Sequence, residues 1–304
     1  MASKPPLVIY IPARAKKSCH FYEIKPSPST YKTKLPYLPR NFCIGLSNGY
    51  LIMEDILTNV WVINPITGHE LRYPQLFETS NFLYCPDRAV FASIGDAKDN
   101  FLLVVLAPAY KKLMFFVSRV NQWQQFSYGG SNWSIVDIVI FKGRIFCVTS
   151  EYQIGVLSVK TCGVILLNLK GTPQLSNIRN VSFVASKNQL LVIDFPLHIH
   201  HLELYTIDLL KMEWVKVNRL RDENEAIFLG NHMSSRLSNA TNWGGQGNRI
   251  YFLPFIEKNA GCHIYSLKGE RLGRFPIMKQ KGTSRMDGWF FPGECVSLDN
   301  VKDE

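Results

Sequence analysis

The sequence predicts an all-β chain, residues 1–304, folded as a single β-propeller of about six four-stranded blades whose ends meet where the ring closes. Two observations predict it. A phrase returns about every 50 residues: a turn residue or pair, followed at once by a short apolar strand. It reads Asn48-Gly49-Tyr50-Leu51-Ile52, Asp99-Asn100-Phe101-Leu102-Leu103, Lys142-Gly143-Arg144-Ile145-Phe146, Lys187-Asn188-Gln189-Leu190-Leu191 and Gly247-Asn248-Arg249-Ile250-Tyr251. A fixed period of about 40–50 residues built from short strands is the signature of a propeller. The second observation is a dense series of strand–turn–strand hairpins. They are rich in Val, Ile, Phe, Tyr and Trp, with Gly, Pro, Asn or Asp at their ends.

Six units follow in order, at roughly 1–40, 41–86, 87–134, 135–180, 181–224 and 225–295. The first begins with a strand from about residue 5 and contains Pro26-Ser-Pro-Ser-Thr30 as an internal loop. In the second, the Tyr50 strand precedes Asn59 to Asn64, a turn at Pro65-Ile66-Thr67-Gly68, and a return over His69 to Tyr73. The third pairs Leu113–Val117 with Trp123–Phe126, and the fourth pairs Tyr152–Val159 with Val164–Leu169. The fifth pairs Leu202–Asp208 with Glu213–Val217, and the sixth pairs His263–Leu267 with Arg271–Phe275. Many of these runs are continuously apolar rather than alternating, as expected when both faces of each blade are covered. No long amphipathic helix is predicted.

Composition narrows the function classes. A chain with 46% hydrophobic and 19% charged residues can bury a sizeable core. No apolar run reaches the length of a transmembrane helix. Leu7 to Ile11 is too short for a secretory leader. The seven cysteines are scattered, with no C-x-x-C pair, and read as reduced thiols of a cytoplasmic or nuclear protein.

The net charge of +10 is uneven. Residues 1–40 carry +7, residues 268–285 carry +5 and the remainder carries −2. Ring closure would bring the two basic segments together, which makes Arg14, Lys16, Lys17, Arg271, Arg274, Lys279, Lys281 and Arg285 candidates for a partner-binding face. Trp133 and Trp243 sit in turn-like settings and are the aromatic candidates, since Trp and Arg are enriched at hot spots. The alternative for both rings is that they lid blade ends. Trp61, Trp123 and Trp214 lie in strands and are expected in the core.

Catalytic chemistry is sparse. His198-Ile-His200-His201 puts two imidazoles on one strand face, too few for a closed zinc site. Thr241 to Asn248 is glycine-rich but lacks the Lys-Ser/Thr of a phosphate loop and precedes a strand. Glu54-Asp55 and Asp222-Glu223-x-Glu225 read as solvated turn acids. Asp137, inside an apolar strand, needs a hydrogen-bonded partner and reads as a bond between blades. No catalytic residue, metal or cofactor is assigned.

Several phrases, taken in order and spacing, give a family resemblance. They are Cys43-Ile-Gly-Leu-Ser-Asn-Gly-Tyr-Leu-Ile52, Asn64-Pro65-x-Thr67-Gly68, and Ile135-Val-Asp137 through Lys142-Gly143-Arg-Ile-Phe146. Tyr205-Thr-Ile-Asp208, Trp214-Val-Lys-Val217, Ala226-Ile-Phe228-Leu229-Gly230-Asn231, Gly247-Asn248-Arg-Ile250-Tyr251-Phe252 and Trp289-Phe-Phe291-Pro292 continue it. Over residues 5–295 the chain resembles the plant F-box-associated β-propellers, also called KIB-type propellers. The resemblance implies a substrate-capturing propeller that follows an F-box docked on the adaptor of an SCF ubiquitin ligase. With a strand from about residue 5, no room for an F-box is expected, so adaptor docking would need an upstream F-box or a bridging protein. The expected function is non-enzymatic protein interaction by a monomer, with no membrane role. The alternatives are a nucleic-acid or other anionic-ligand binder using the basic face, and a propeller enzyme.

Overall fold

The computed structural model describes residues 5–10, 18–24, 29–35, 42–55, 57–76, 88–95, 100–128, 130, 132–174, 181–185, 188–194, 202–230, 235–254, 261–277, 286–292 and 300–301. They form six sheets joined by tight turns, with short 3-10 turns at Pro108–Tyr110 and Thr241–Trp243. No helix among the described residues is long and apolar enough to cross a membrane.

By contacts the chain divides into two compact units: residues 1–85 with 224–266 and 271–298, and residues 86–223 with 267–270 and 299–304. In the first unit, β1 (Leu7–Tyr10), β2 (Ser18–Glu23) and β3 (Thr30–Lys34) form a meander. Next come β4 (Phe42–Ser47), β5 (Tyr50–Glu54), β6 (Val60–Ile63) and β7 (Glu70–Tyr73). The third sheet holds β20 (Glu225–Leu229), β21 (Ser235–Asn239), β22 (Arg249–Phe252), β23 (Gly261–Ser266) and β24 (Arg271–Pro276).

The strand expected to end the sixth repeat leaves it. β25 (Met286–Phe290) pairs antiparallel with β1, Val8 opposite Trp289, and completes the first sheet in the order β25-β1-β2-β3. The limit of 225–295 for the last repeat is thereby corrected, while the expected meeting of the two chain ends is present. The last sheet also departs from a simple meander. β21 folds back on β20, so β20 meets β22 in parallel and the order is β21-β20-β22-β23-β24.

The second unit holds β8 (Arg88–Ile94), β9 (Phe101–Ala107), β10 (Lys112–Val117) and β11 (Gln122–Ser127). It continues with β12 (Ile135–Phe141), β13 (Arg144–Thr149), β14 (Ile154–Ser158) and β15 (Gly163–Leu166). It ends with β16 (Val181–Ala185), β17 (Leu190–Asp194), β18 (Glu203–Asp208) and β19 (Glu213–Lys216). A short β26 (Asn300–Val301) adds in parallel to β8.

Turn chemistry explains the recurring phrase. Asn48 and Gly49 have φ of 50° and 75°, and Lys142 and Gly143 have 49° and 74°. Two successive left-handed residues make the type I′ hairpin whose twist matches paired strands. The turn-led strands β5, β9, β13 and β17 are the second strand of each meander, shielded on both edges. Their alternate side chains supply two cores. In β13, Ile145 and Cys147 enter one cluster with Val104 and Phe115 of the neighbouring sheet, while Phe146 and Val148 enter another with Phe183 and Trp214. In the first unit Val8 and Trp289 face one cluster, and Ile9 and Phe290 the other. Each fully buried large aliphatic or Phe contributes about 1.5–3 kcal/mol, which is why both strand faces are apolar.

Candidate partner-binding site

Strand geometry decides where the candidate residues stand. Trp133 precedes β12 and stacks on Tyr128 at 5.4 Å and 12°. It is half-buried against the core of β8–β15. Trp243 ends its 3-10 turn, and Gly244 follows with φ 88°. Its ring lies directly over Gly245, in space that any Cβ there would fill. It also meets Tyr251 at 5.8 Å and Phe228 at 6.3 Å. Phe228 in turn stacks on Tyr251 at 4.9 Å and takes the edge of Trp289 at 5.1 Å. Both tryptophans therefore cap a core and are half-buried, with the Trp243 indole nitrogen covered. Of the three tryptophans expected in the core, Trp214 is buried. Trp61 is half-buried against the core of its unit, as expected in kind, while Trp123 is half-buried on β11 with its ring 5.3 Å from Phe116, a correction to its expected core position.

Among the basic candidates, Arg271 and Arg274 are exposed on β24, the last strand of its sheet. The Arg274 guanidinium lies over Gly261 of β23. Lys32 and Lys34 are exposed on β3, again a last strand. Arg14, Lys16, Lys17, Lys279, Lys281 and Arg285 lie outside the described residues, as do His198, His200 and His201.

One buried acid has a full set of structural partners. Asp137 of β12 is 5% exposed. It accepts from Arg88 Nε at 2.6 Å and Nη2 at 2.9 Å, from the Phe183 N–H at 2.8 Å and from the Ile138 N–H at 2.7 Å. Arg88 begins β8 and Phe183 lies in β16, so one carboxyl ties the first strands of three successive sheets. Burial is the largest influence on Asp137 and raises its pKa, while Arg88 and the two N–H donors pull it down. Four donors and no acceptor around one carboxyl match its ionised form. The expected bond between blades is present. Sequence reasoning does not single out Arg88, its partner, although a lone Arg heading an apolar strand is a signal of the same kind.

Glu54 and Glu225 depart from expectation, Glu225 because it opens β20, a strand buried along its whole length. Asp55 is a turn acid, accepting from the N–H groups of Leu57 and Asn59 and from Asn59 Nδ2. Glu54 instead ends β5 at 3% exposure. Burial, then the charge of Asp55, push its carboxyl up to about 8. β5 is covered on both faces as far as its last residue, which the acidic pair concealed.

Five described cysteines carry free thiols, four of them buried. Burial pushes the Cys147 thiol up to about 12 and raises those of Cys162 and Cys262. Core thiols of this kind are inert rather than nucleophilic. Among the described residues no group of three His, Cys, Asp or Glu could hold a metal ion.

The model of the KIB1-4 beta-propeller family matches residues 21–270. The chain belongs to the KIB1-4 beta-propeller family. No curated protein matches it. Among solved structures, it is similar to the β-propeller domain of Cps50 (Swd1) from Myceliophteria thermophila, at 10% identity and a TM-score of 0.48, over 91% of this chain and 88% of that one.

Proposed function

We propose that this KIB1-4 family propeller is a non-catalytic protein-interaction module that selects substrates for an SCF-type ubiquitin ligase. The supporting observation is the family match over residues 21–270. The half-exposed rings of Trp133 and Trp243 and the basic edge strands β3 and β24 supply anchors of the kind that carry interface energy. Its site of action is the cytoplasm or nucleus, as a monomer before partner binding. Joining the ligase adaptor requires an F-box or a bridging protein; without either, the propeller competes with full-length relatives for the same partner.

The test is affinity purification of the tagged chain from its own cells, with and without proteasome inhibition, read by mass spectrometry. Recovery of adaptor and cullin together with a protein that accumulates on inhibition is the expected result. A reproducible partner without adaptor or cullin reduces the reading to stand-alone binding, and no partner overturns it.

Exposed Lys32, Lys34, Arg271 and Arg274 favour one second reading, an anionic ligand such as nucleic acid. Counterion release then demands an affinity that falls steeply with salt. A flat salt response in a titration with duplex and single-stranded probes would remove it.

A further inference from the structure

The six sheets that end in β3, β7, β11, β15, β19 and β24 differ in how those last strands are protected. Edge strands are normally guarded by charge, since their outward N–H and C=O groups can pair with another chain. β3 carries Lys32 and Lys34, β7 Glu70 and Arg72, β19 Glu213 and Lys216, and β24 Arg271 and Arg274. β11 carries three glutamines. β15 reads Gly163-Val164-Ile165-Leu166, with no polar side chain. Ile165 is 64% and Leu166 37% exposed.

The register shows which backbone groups β15 offers. The Leu167 N–H donates to Ile154 O at 2.8 Å, and Val156 stands opposite Ile165. Antiparallel pairs alternate, so Ile165 bonds inward and the N–H and C=O of Val164 and Leu166 point away from β14. Beyond the strand, the backbone of Lys170 bridges to β19. Two exposed lysines bracket the strand, Lys160 in the turn before it and Lys170 after it. Residues 159–174 contain no acid. Neither lysine side chain is in an ion pair among the described residues.

We infer that β15 is a strand-addition site for an extended apolar segment of a partner protein flanked by acidic residues. The open backbone groups of Val164 and Leu166 supply the ladder, Ile165 supplies an apolar contact, and Lys160 and Lys170 select acidic flanks. This deepens the protein-interaction reading and rests on it.

The test uses the whole chain and a nine-residue probe of alternating valine and threonine with two aspartates at each end. A second probe replaces the aspartates with lysines. Hydrogen exchange should show added protection at Val164 and Leu166, and the acidic probe should bind about tenfold or more tightly than the basic one. Leu166→Pro removes an outward N–H without touching the bonds to β14, and Ile165→Lys guards the edge with charge. Each should weaken the acidic probe by about tenfold while leaving the unfolding midpoint near wild type.

Equal binding of the two probes, protection elsewhere, or a concentration-dependent dimer that protects β15 would each overturn the inference. In the affinity purification, a partner retained by Ile165→Lys removes this site but leaves the interaction reading intact. Loss of all partners from the wild-type chain removes the reading itself.

Discussion

Asp137 illustrates how one residue can serve three strands. Its carboxyl takes Arg88 from β8 and the Phe183 N–H from β16. Removing one member of a buried pair strands the other charge and costs about 3–5 kcal/mol. Asp137→Ala and Arg88→Ala are each expected to lower stability by that amount in urea unfolding, and the double variant by less than the sum. Glu54 makes the opposite contribution. Its folded pKa of about 8 lies above the ordinary value of 4.5, so the folded state holds the proton longer. The stability this confers is complete below pH 4.5 and is lost as pH rises through about 8. Glu54→Gln should remove that decline and be the more stable protein at about pH 8–9, as thermal melts across pH would show.

At the scale of the element, turns and close approaches set the constraints. Left-handed backbone recurs in the hairpins before the last strands, at Gly68 (φ 74°), Asn121 (55°), Cys162 (47°), Met212 (54°) and Gly269 (86°). Side chains before these turns hold them. Asn64 Oδ1 accepts from Ile66 and Thr67, and Asp208 Oδ1 from Leu210 and Lys211. Met212 bears a Cβ where glycine is favoured, so Met212→Gly is expected to be neutral to stabilising by up to about 1 kcal/mol, read from the urea midpoint. Gly155 of β14 is the converse. A Cβ there would stand 2.6 Å from Val164 Cγ1 and 2.7 Å from Cys147 Sγ. Gly155→Ala should cost about 1–3 kcal/mol through overpacking.

For the molecule as a whole, the pairing of distant segments matters most. β25 supplies the partner of β1 across most of the sequence, and β26 adds to β8. Deleting residues 286–304 would expose the edge of β1 and remove Trp289 and Phe290 from two clusters. The expected outcome is loss of a sharp unfolding transition and of near-ultraviolet dichroism, while far-ultraviolet strand signal persists in part.

The fold class, the repeat and nearly every strand were legible in the residues alone. Local rules suffice there: I′ turns are written in Asn-Gly and Lys-Gly, and shielded strands in continuous apolar runs. The same rules marked Asp137 as a buried acid needing a partner. Arg88, 49 residues away, emerged with the folded chain, because nothing local links two charges in different sheets. Folding also placed β25 beside β1 and made β20 parallel to β22, since strand partners are fixed by long-range closure. It separated buried Glu54 from turn-bonded Asp55, two adjacent acids of which one ends a strand covered on both faces and the other starts the turn. The half-exposure of Trp133 and Trp243 was likewise settled by packing, because a ring's burial depends on what the neighbouring strands bring to it.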